Sequence, residues 1–276
     1  MDKETELEVT YCTDEPSNRD YKFEEYEQFI NNDEYGKGIN SMRPDNVKVW
    51  NQGNTPACTC YSMGHVSNWE NLLEDIKLWT KRDQKDPSVL WNRFCAMRNN
   101  YSTGTSIQIM ADFYRKQWEI EWYVTINNSD KDIVAKMKKS LDGWYFLSTG
   151  SSNGDWSAIK KTWIYTIRAD GKYVGHAWCI VDYGDGFFWA VNSYGDKRWP
   201  YNGMFKVPFD MVTKIYNKLC IIDKDDSGAF TNLKLYKKAQ EMVSLAKELY
   251  NNGNKEQKQY FEQIMLWKNI ERLYSV

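Results

Sequence analysis

The sequence predicts an α+β fold, in which a helical half precedes a half of antiparallel strands and a C-terminal helical hairpin follows. Apolar residues recur at helical spacing between residues 59 and 141, and the spacing changes to that of β-strands between residues 144 and 207. Heptad-like apolar stripes return after residue 227. Helices that precede strands, instead of alternating with them, are typical of α+β proteins.

These changes divide the 276 residues into three segments. Residues 1–44 are polar, and we expect an N-terminal arm with a short helix near residues 22–31 that either packs on the body or acts as an inhibitory propeptide. Residues 45–226 form the main domain. Residues 227–276 form the helical hairpin, which either packs on its own domain or serves docking or self-association, because so short a hairpin buries little surface alone.

The helical half is predicted to begin with a short strand and a loop rich in Gly and Pro. A long amphipathic helix follows the loop, and shorter helices come after it. We expect Ser129 and Asp130 to cap the last of these helices and Gly143 to end it. The predicted elements are a strand at 47–50, helices at 59–79, 87–97, 106–117 and 131–141, and a loop at 100–105.

The second half is predicted to be a set of short strands whose connections carry Gly, Asp and Asn. A hairpin turn is predicted at residues 183–186. The predicted strands are 144–148, 162–167, 177–181, 187–191 and 203–207.

Composition excludes several classes of function. The 36 basic residues nearly balance the 38 acidic ones, so the net charge of −2 gives no global reason to bind nucleic acid. No apolar run approaches the length of about 20 residues that spans a bilayer, and the charged N-terminus shows no signal peptide. We therefore expect synthesis in the cytoplasm, with later release by lysis or association with a virion left open.

The six cysteines are poor candidates for disulfides or metal sites. Without a signal peptide, their even number is weak evidence for disulfides. Cys95, Cys179 and Cys220 lie in apolar surroundings and are expected to be buried. The chain has no Cys-x-x-Cys pair and only two histidines, so we expect no metal and no cofactor.

Four residues have the chemistry of an activated-cysteine hydrolase. Cys58 lies at the predicted start of the long helix, where unpaired N–H groups and the helix dipole favour a thiolate. His176 would serve as base and then as acid, and Asn192 would fix its tautomer and orientation. Gln52 and the backbone N–H of Cys58 would stabilise the oxyanion.

Each of these residues also has an ordinary structural interpretation. Cys58 could be a buried structural thiol, His176 a core histidine with satisfied hydrogen bonds, and Asn192 a turn residue. The agreement of spacing and local sequence at all three places favours catalysis. Cys60 is a rival nucleophile, and Asp182, six residues after His176, is a rival third member of the triad.

The same segments resemble the papain-like cysteine peptidases, most closely their divergent microbial or phage members. The similarity covers about residues 45 to 222. Its first part is the interval of six residues from Gln52 to Cys58, and its second is the His segment Gly175 to Ala177, with His176 118 residues after Cys58. Its third part is the Asn-Ser-aromatic-Gly run from Asn192 to Gly195, followed by Trp199 and by Asn-Gly-Met-Phe from Asn202 to Phe205.

This resemblance implies an active-site cleft between the two halves and hydrolysis of peptide or isopeptide bonds through a Cys58 thioester. It also implies substrate-binding positions with small or apolar preference: Gly104, Thr105, Gly175, Ala177 and Tyr194. The sequence departs from the family pattern in three places. Thr55 replaces a disulfide cysteine, Thr59 replaces the Trp after the nucleophile, and Tyr194 replaces the Trp that shields the His–Asn bond.

The resulting hypothesis is a papain-like cysteine endopeptidase with a polypeptide substrate. Two alternatives stay open at this point. One is a papain-fold structural or binding component of a larger assembly, such as a phage virion or tail. The other is a thiol peptidoglycan endopeptidase.

Overall fold

The computed structural model describes residues 22–23, 48–78, 84–120, 122–143, 145–195, 199–216, 218–222 and 248. The chain separates into two compact units, Met1–Ser227 and Gly228–Val276, and every element given below lies in the first. Apart from Lys22, Phe23 and Glu248, the predicted arm and the predicted C-terminal hairpin lie outside the described residues, so their predicted roles and the domain boundaries stay predictions.

Six α-helices and one 3-10 helix are described in the first unit. The α-helices are α1 Cys58–Leu78, α2 Pro87–Arg98, α3 Ile107–Lys116, α4 Ile133–Asp142, α5 Trp156–Thr162 and α6 Pro200–Gly203, and the 3-10 helix is Phe209–Lys214.

One six-stranded sheet accompanies the helices, with the strand order β1-β6-β2-β3-β4-β5 and antiparallel pairing throughout. Its strands are β1 Trp122–Ile126, β2 Leu147–Ser151, β3 His176–Gly184, β4 Phe187–Val191, β5 Met204–Pro208 and β6 Lys218–Ile222. Strand β3 is central in this order, and its residues from His176 to Asp182 are all buried.

Helix α1 forms the centre of the core. Every residue from position 57 to position 70 is buried, although a helix on a protein surface buries only one face. Helices α2 and α3 pack against α1, which also packs on strands β2 and β3. The hydroxyl of Ser62 donates to the carbonyl of Trp178 at 2.7 Å and lies 2.7 Å from the hydroxyl of Ser148. These bonds satisfy a buried hydroxyl and fix the helix to the sheet.

The predicted α+β class is confirmed, and most predicted helices are within two residues of the observed ones. The hairpin turn at 183–186 is confirmed, with Asp185 and Gly186 at φ values of 49° and 87°. Such positive values suit Asp-Gly in a tight β-hairpin. Cys95, Cys179 and Cys220 are buried and free, as expected. Gly143 ends α4, also as expected.

The strand predicted at 162–167 is wrong. Thr162 is the last residue of α5, and Trp163 follows in the left-handed region at φ 62°. Beyond it, Ile164 and Ile167 form isolated bridges. The alternating aromatic and β-branched residues resemble a strand, but Asp155 caps a helix here by accepting from the N–H of Ala158 at 2.9 Å.

Three further expectations need correction. Residues 48–50, the described part of the strand predicted at 47–50, form no strand and no bridge. The next residue, Asn51, forms an isolated bridge with Tyr194. Asp130 does not cap α4, since the N-cap is Asp132 without a side-chain bond, and Asp130 accepts instead from the N–H of Asn127. Strand β1 precedes α4 and pairs with the unpredicted β6, so the helical and strand halves are not strictly successive.

Candidate active site

The loop before α1 is joined to the segment after β4. Asn51 forms a bridge with Tyr194, and the backbone N–H of Gln52 donates to the carbonyl of Ser193 at 2.8 Å. Gly195 lies opposite Asn51 at φ 80°, and a Cβ at Gly195 would lie 3.0 Å from the Cβ of Asn51. This pairing brings the predicted Gln52 to Ser193, the neighbour of the predicted Asn192, across more than 130 residues of sequence.

His176 is the first residue of β3 and is fully buried. Its Nε2 lies 2.8 Å from Oδ1 of Asn192, which also accepts from the N–H of Ser193 at 2.7 Å. A carboxamide oxygen only accepts, so Nε2 carries the proton and Nδ1 carries the lone pair. Nδ1 is therefore the nitrogen of the neutral imidazole that can accept a proton.

Gly150 allows strand β2 to pass close to the histidine. It pairs with Ala177, and its neighbour Ser151 pairs with His176. A Cβ at Gly150 would lie 2.4 Å from the carbonyl oxygen of His176, which is far below an ordinary van der Waals contact. Only glycine fits there without moving the backbone of the histidine.

Cys58 begins α1, as predicted, and only 2% of its surface is exposed. Burial raises the pKa of its thiol to about 11, while the backbone N–H of Ala177, together with those of Thr59 and Cys58 itself, acts in the opposite direction. These amides therefore face the sulfur. The amide of Ala177 directly follows His176, so the sulfur lies beside the segment that carries the imidazole.

Burial also lowers the pKa of His176 to about 4, while the hydrogen bond that His176 donates to Asn192 acts in the opposite direction and raises it. Both directions favour the uncharged forms, a thiol and a neutral imidazole.

An aromatic shell surrounds the histidine. The ring of Tyr194 stacks on that of His176, with centroids 4.7 Å apart and planes at 4°, and its hydroxyl lies 3.5 Å from Nδ1. Trp156 meets the same imidazole edge to face at 4.6 Å, and Trp199 packs on Tyr194 at 6.0 Å. Trp156 begins the unpredicted helix α5, and no motif marks it in the sequence.

Both polar atoms of the Gln52 carboxamide are hydrogen-bonded. Its Oε1 accepts a hydrogen bond from the hydroxyl of Ser193, and its Nε2 donates to the carbonyl of Thr55 at 2.8 Å. Gln52 is 4% exposed, so these bonds are shielded from water. The second N–H of Nε2 could donate a hydrogen bond to a substrate oxyanion. The spacing to Cys58 marks Gln52 in the sequence, but no local pattern marks Ser193 and Thr55 as its partners.

The predicted substrate-binding residues are divided between two places. Gly175 and Ala177 flank His176 and are buried, and Tyr194 packs on the same ring. Gly104 and Thr105 lie in the loop between α2 and α3, where both are buried. No bond described joins this loop to the histidine, so its role in substrate binding stays a prediction.

The two rival residues are placed elsewhere. The sulfur of Cys60 lies 3.4 Å from the carbonyl oxygen of Pro87 and 3.4 Å from the hydroxyl of Tyr114, on the side of α1 that faces α2 and α3. Asp182 follows a β-bulge in β3, and its carboxylate accepts from the N–H of Tyr183 at 2.7 Å. Asn192, and not Asp182, is the hydrogen-bond partner of His176.

Within the described part of the chain, no three His, Cys, Asp or Glu side chains cluster in a way that could hold a metal ion. None of the described helices has the length and apolar character needed to cross a bilayer.

Comparison with solved structures identifies the fold. The structure of xylellain, a cysteine protease from Xylella fastidiosa, aligns with a TM-score of 0.59 and 14% identity, over 78% of this chain and 96% of that chain. The fold is papain-like. The ragweed pollen allergen Amb a 11, a cysteine protease in its proform, aligns at a TM-score of 0.48 and 14% identity, over 65% of this chain and 63% of that one. No family model and no curated sequence matches the chain.

Proposed function

We propose that the protein is a cysteine endopeptidase that hydrolyses peptide bonds through a thioester on Cys58. The observation that carries this proposal is the bond of 2.8 Å between Nε2 of His176 and Oδ1 of Asn192, in a structure where Cys58 begins helix α1. The papain-like fold supports the proposal, since xylellain is a cysteine protease.

In the proposed mechanism, the sulfur of Cys58 attacks the scissile carbonyl while its proton passes to Nδ1 of His176. The backbone N–H of Cys58 and the free N–H of Gln52 donate to the oxyanion. His176 then gives the proton to the leaving amine, and water hydrolyses the thioester with the imidazole again as base. Asn192 keeps the ring in one orientation throughout.

The burial of Cys58 adds a step before the chemistry. Because a neutral thiol and a neutral imidazole are favoured while the sulfur is covered, opening of the site and formation of the ion pair are coupled. We expect slow reaction with small thiol reagents in the absence of substrate, since the thiolate is the reactive species.

Cleavage of a broad library of peptides, followed by mass spectrometry, tests the proposal. The wild-type protein is expected to cut, Cys58→Ala is expected to be inactive, and Cys60→Ala serves as the matched control and is expected to stay active. Purified cell walls in a parallel reaction distinguish a peptidoglycan endopeptidase. A folded wild-type protein that cuts neither substrate, or a Cys58→Ala variant that still cuts, would reject the proposed function.

A further inference from the structure

An oxyanion donor works only if it is already oriented before the oxyanion forms, because the gain is lost if the group must reorganise during the reaction. The side chain of a glutamine has free rotation about three bonds, so neighbouring groups must hold it. Gln52 is held by Ser193 at its Oε1 and by the carbonyl of Thr55 at its Nε2. One of the two N–H hydrogens on Nε2 is thus occupied, and the orientation of the other is fixed.

The same threonine also binds the backbone of Gln52. Its hydroxyl Oγ1 donates to the carbonyl oxygen of Gln52 at 2.6 Å. Thr55 therefore makes two reciprocal bonds with one residue: its hydroxyl fixes the backbone of Gln52, and its carbonyl fixes the amide at the end of the side chain. One bond to the backbone of Gln52 and one to its side-chain amide together restrict the residue more than either bond alone.

The turn between the two residues makes this closure possible. Gly53 lies in the left-handed region at φ 62°, and its N–H donates to Oδ1 of Asn51 at 2.9 Å. Few residues other than glycine adopt this conformation without strain. It reverses the chain so that Thr55 faces back onto Gln52.

We propose that Thr55 is a positioning residue that orients Gln52 toward the oxyanion. This inference rests on the proposed peptidase function and extends it to a residue that touches no reacting atom. Thr55 itself is exposed, so its substitution changes no core packing, and both of its side-chain and carbonyl bonds given above are made to Gln52.

Thr55→Val removes the hydroxyl and keeps nearly the same shape. We expect kcat/KM for peptide cleavage to fall about threefold to tenfold, the factor that corresponds to the net contribution of one hydrogen bond. Thr55→Ser, which restores the hydroxyl, is expected to recover most of the activity. Alkylation of Cys58 by iodoacetamide forms no oxyanion, so its rate is expected to be unchanged in both variants.

A double-mutant cycle with Gln52→Ala tests whether Thr55 acts through Gln52. If it does, Thr55→Val causes no further loss of kcat/KM in the Gln52→Ala background. An equal loss in both backgrounds, an unchanged kcat/KM in Thr55→Val, or a parallel loss of alkylation rate would overturn the proposal.

A measurement without catalysis separates this inference from the proposed function. The side-chain amide resonances of Gln52 can be assigned by NMR through their loss in Gln52→Ala. They are expected to show restricted motion in the wild-type protein and faster motion in Thr55→Val. If the wild-type protein cleaves nothing, the peptidase proposal fails, and the NMR result still decides whether Thr55 holds Gln52. Equal mobility in the two proteins would overturn the positioning role.

Discussion

Oδ1 of Asn192 lies 2.8 Å from Nε2 of His176 and accepts at the same time from the backbone N–H of Ser193. The second bond fixes the carboxamide, so that its oxygen, and not its NH₂ group, faces the imidazole. The consequence is a defined tautomer, with the lone pair of His176 on Nδ1, the ring nitrogen that would act as base in the proposed mechanism.

Asn192→Ala is expected to lower kcat/KM about tenfold to a hundredfold. The reason is that Oδ1 of Asn192, as the acceptor of the bond from Nε2–H of His176, stabilises the imidazolium, and hydrogen bonds to charged groups contribute about 1.5–3 kcal/mol. Steady-state kinetics with a peptide substrate measures the change, and thermal unfolding confirms that the variant folds. An Asn192→Ala variant with wild-type kcat/KM would contradict the assigned role.

The two histidines are expected to make the protein less stable in acid. Burial lowers the pKa of His65 to about 3 and that of His176 to about 4, both below the ordinary value. Nε2 of His65 also accepts from the N–H of Trp50 at 2.9 Å, which requires the uncharged ring. As the pH falls from about 6.5 toward these values, the unfolded chain binds protons that the folded one does not, and stability decreases.

Urea unfolding between pH 7 and pH 4.5 measures this effect. Each histidine contributes a slope of up to about 1.4 kcal/mol per pH unit within its window. His65→Gln keeps an acceptor for Trp50 and removes one titrating group, so its stability should depend less steeply on pH than that of the wild-type protein. Parallel curves for the two proteins would contradict the neutral state of His65.

Gly64 is expected to be indispensable for the packing of α1. A Cβ at this position would lie 2.5 Å from Cγ of Pro87 and 3.1 Å from the hydroxyl of Tyr114. Gly64→Ala gains helix propensity of about 1 kcal/mol but meets a rigid proline ring, and overpacking costs about 1–3 kcal/mol. We expect a lower free energy of unfolding in chemical denaturation. A variant as stable as the wild type would show that α2 moves away without cost.

Arg98 is expected to hold the loop that carries Gly104. Its guanidinium donates to the carbonyls of Asn100 and Gly104 at 3.0 Å each, and to that of Thr103. Arg98→Lys keeps the charge but loses the fork of donors, so it is expected to loosen the loop almost as much as Arg98→Ala.

The rate of inactivation by a peptidyl epoxide, compared with that by iodoacetamide, measures this effect. If Gly104 binds the substrate backbone, only the peptidyl reagent becomes slower, by about threefold or more, as expected for the loss of a hydrogen bond. Equal rates in all three proteins would place this loop outside the substrate site.

The sequence predicted the helix start at Cys58 and the central strand after His176 because both depend on local patterns of apolar residues. Gln52, His176 and Asn192 could be chosen because each lies in a short segment with a recognisable chemical requirement. The pairing of Asn51 with Tyr194 brings Gln52 to the segment that carries Asn192, and the antiparallel pairing of β3 with β4 brings His176 to the same segment.

Other features could not be predicted from periodicity. Strand β1 has only five residues, and its partner β6 lies almost a hundred residues later, so the pairing leaves no local signal. The segment at 162–167 has the composition of a strand, yet the capping bond of Asp155 and the left-handed Trp163 decide its conformation. Trp156, Ser193 and Thr55 act through contacts that only the folded chain creates.

The reactivity of Cys58 toward a peptidyl epoxide in the wild-type protein and in His176→Ala tests whether Cys58 is the nucleophile and His176 its base. Intact mass and peptide mapping give the number and the site of the adducts. The proposed mechanism predicts one adduct on Cys58 in the wild type and in Cys60→Ala, and a rate lower by at least about a hundredfold in His176→Ala, because the base is lost. Labelling of Cys60 instead, or equal rates with and without His176, would contradict it.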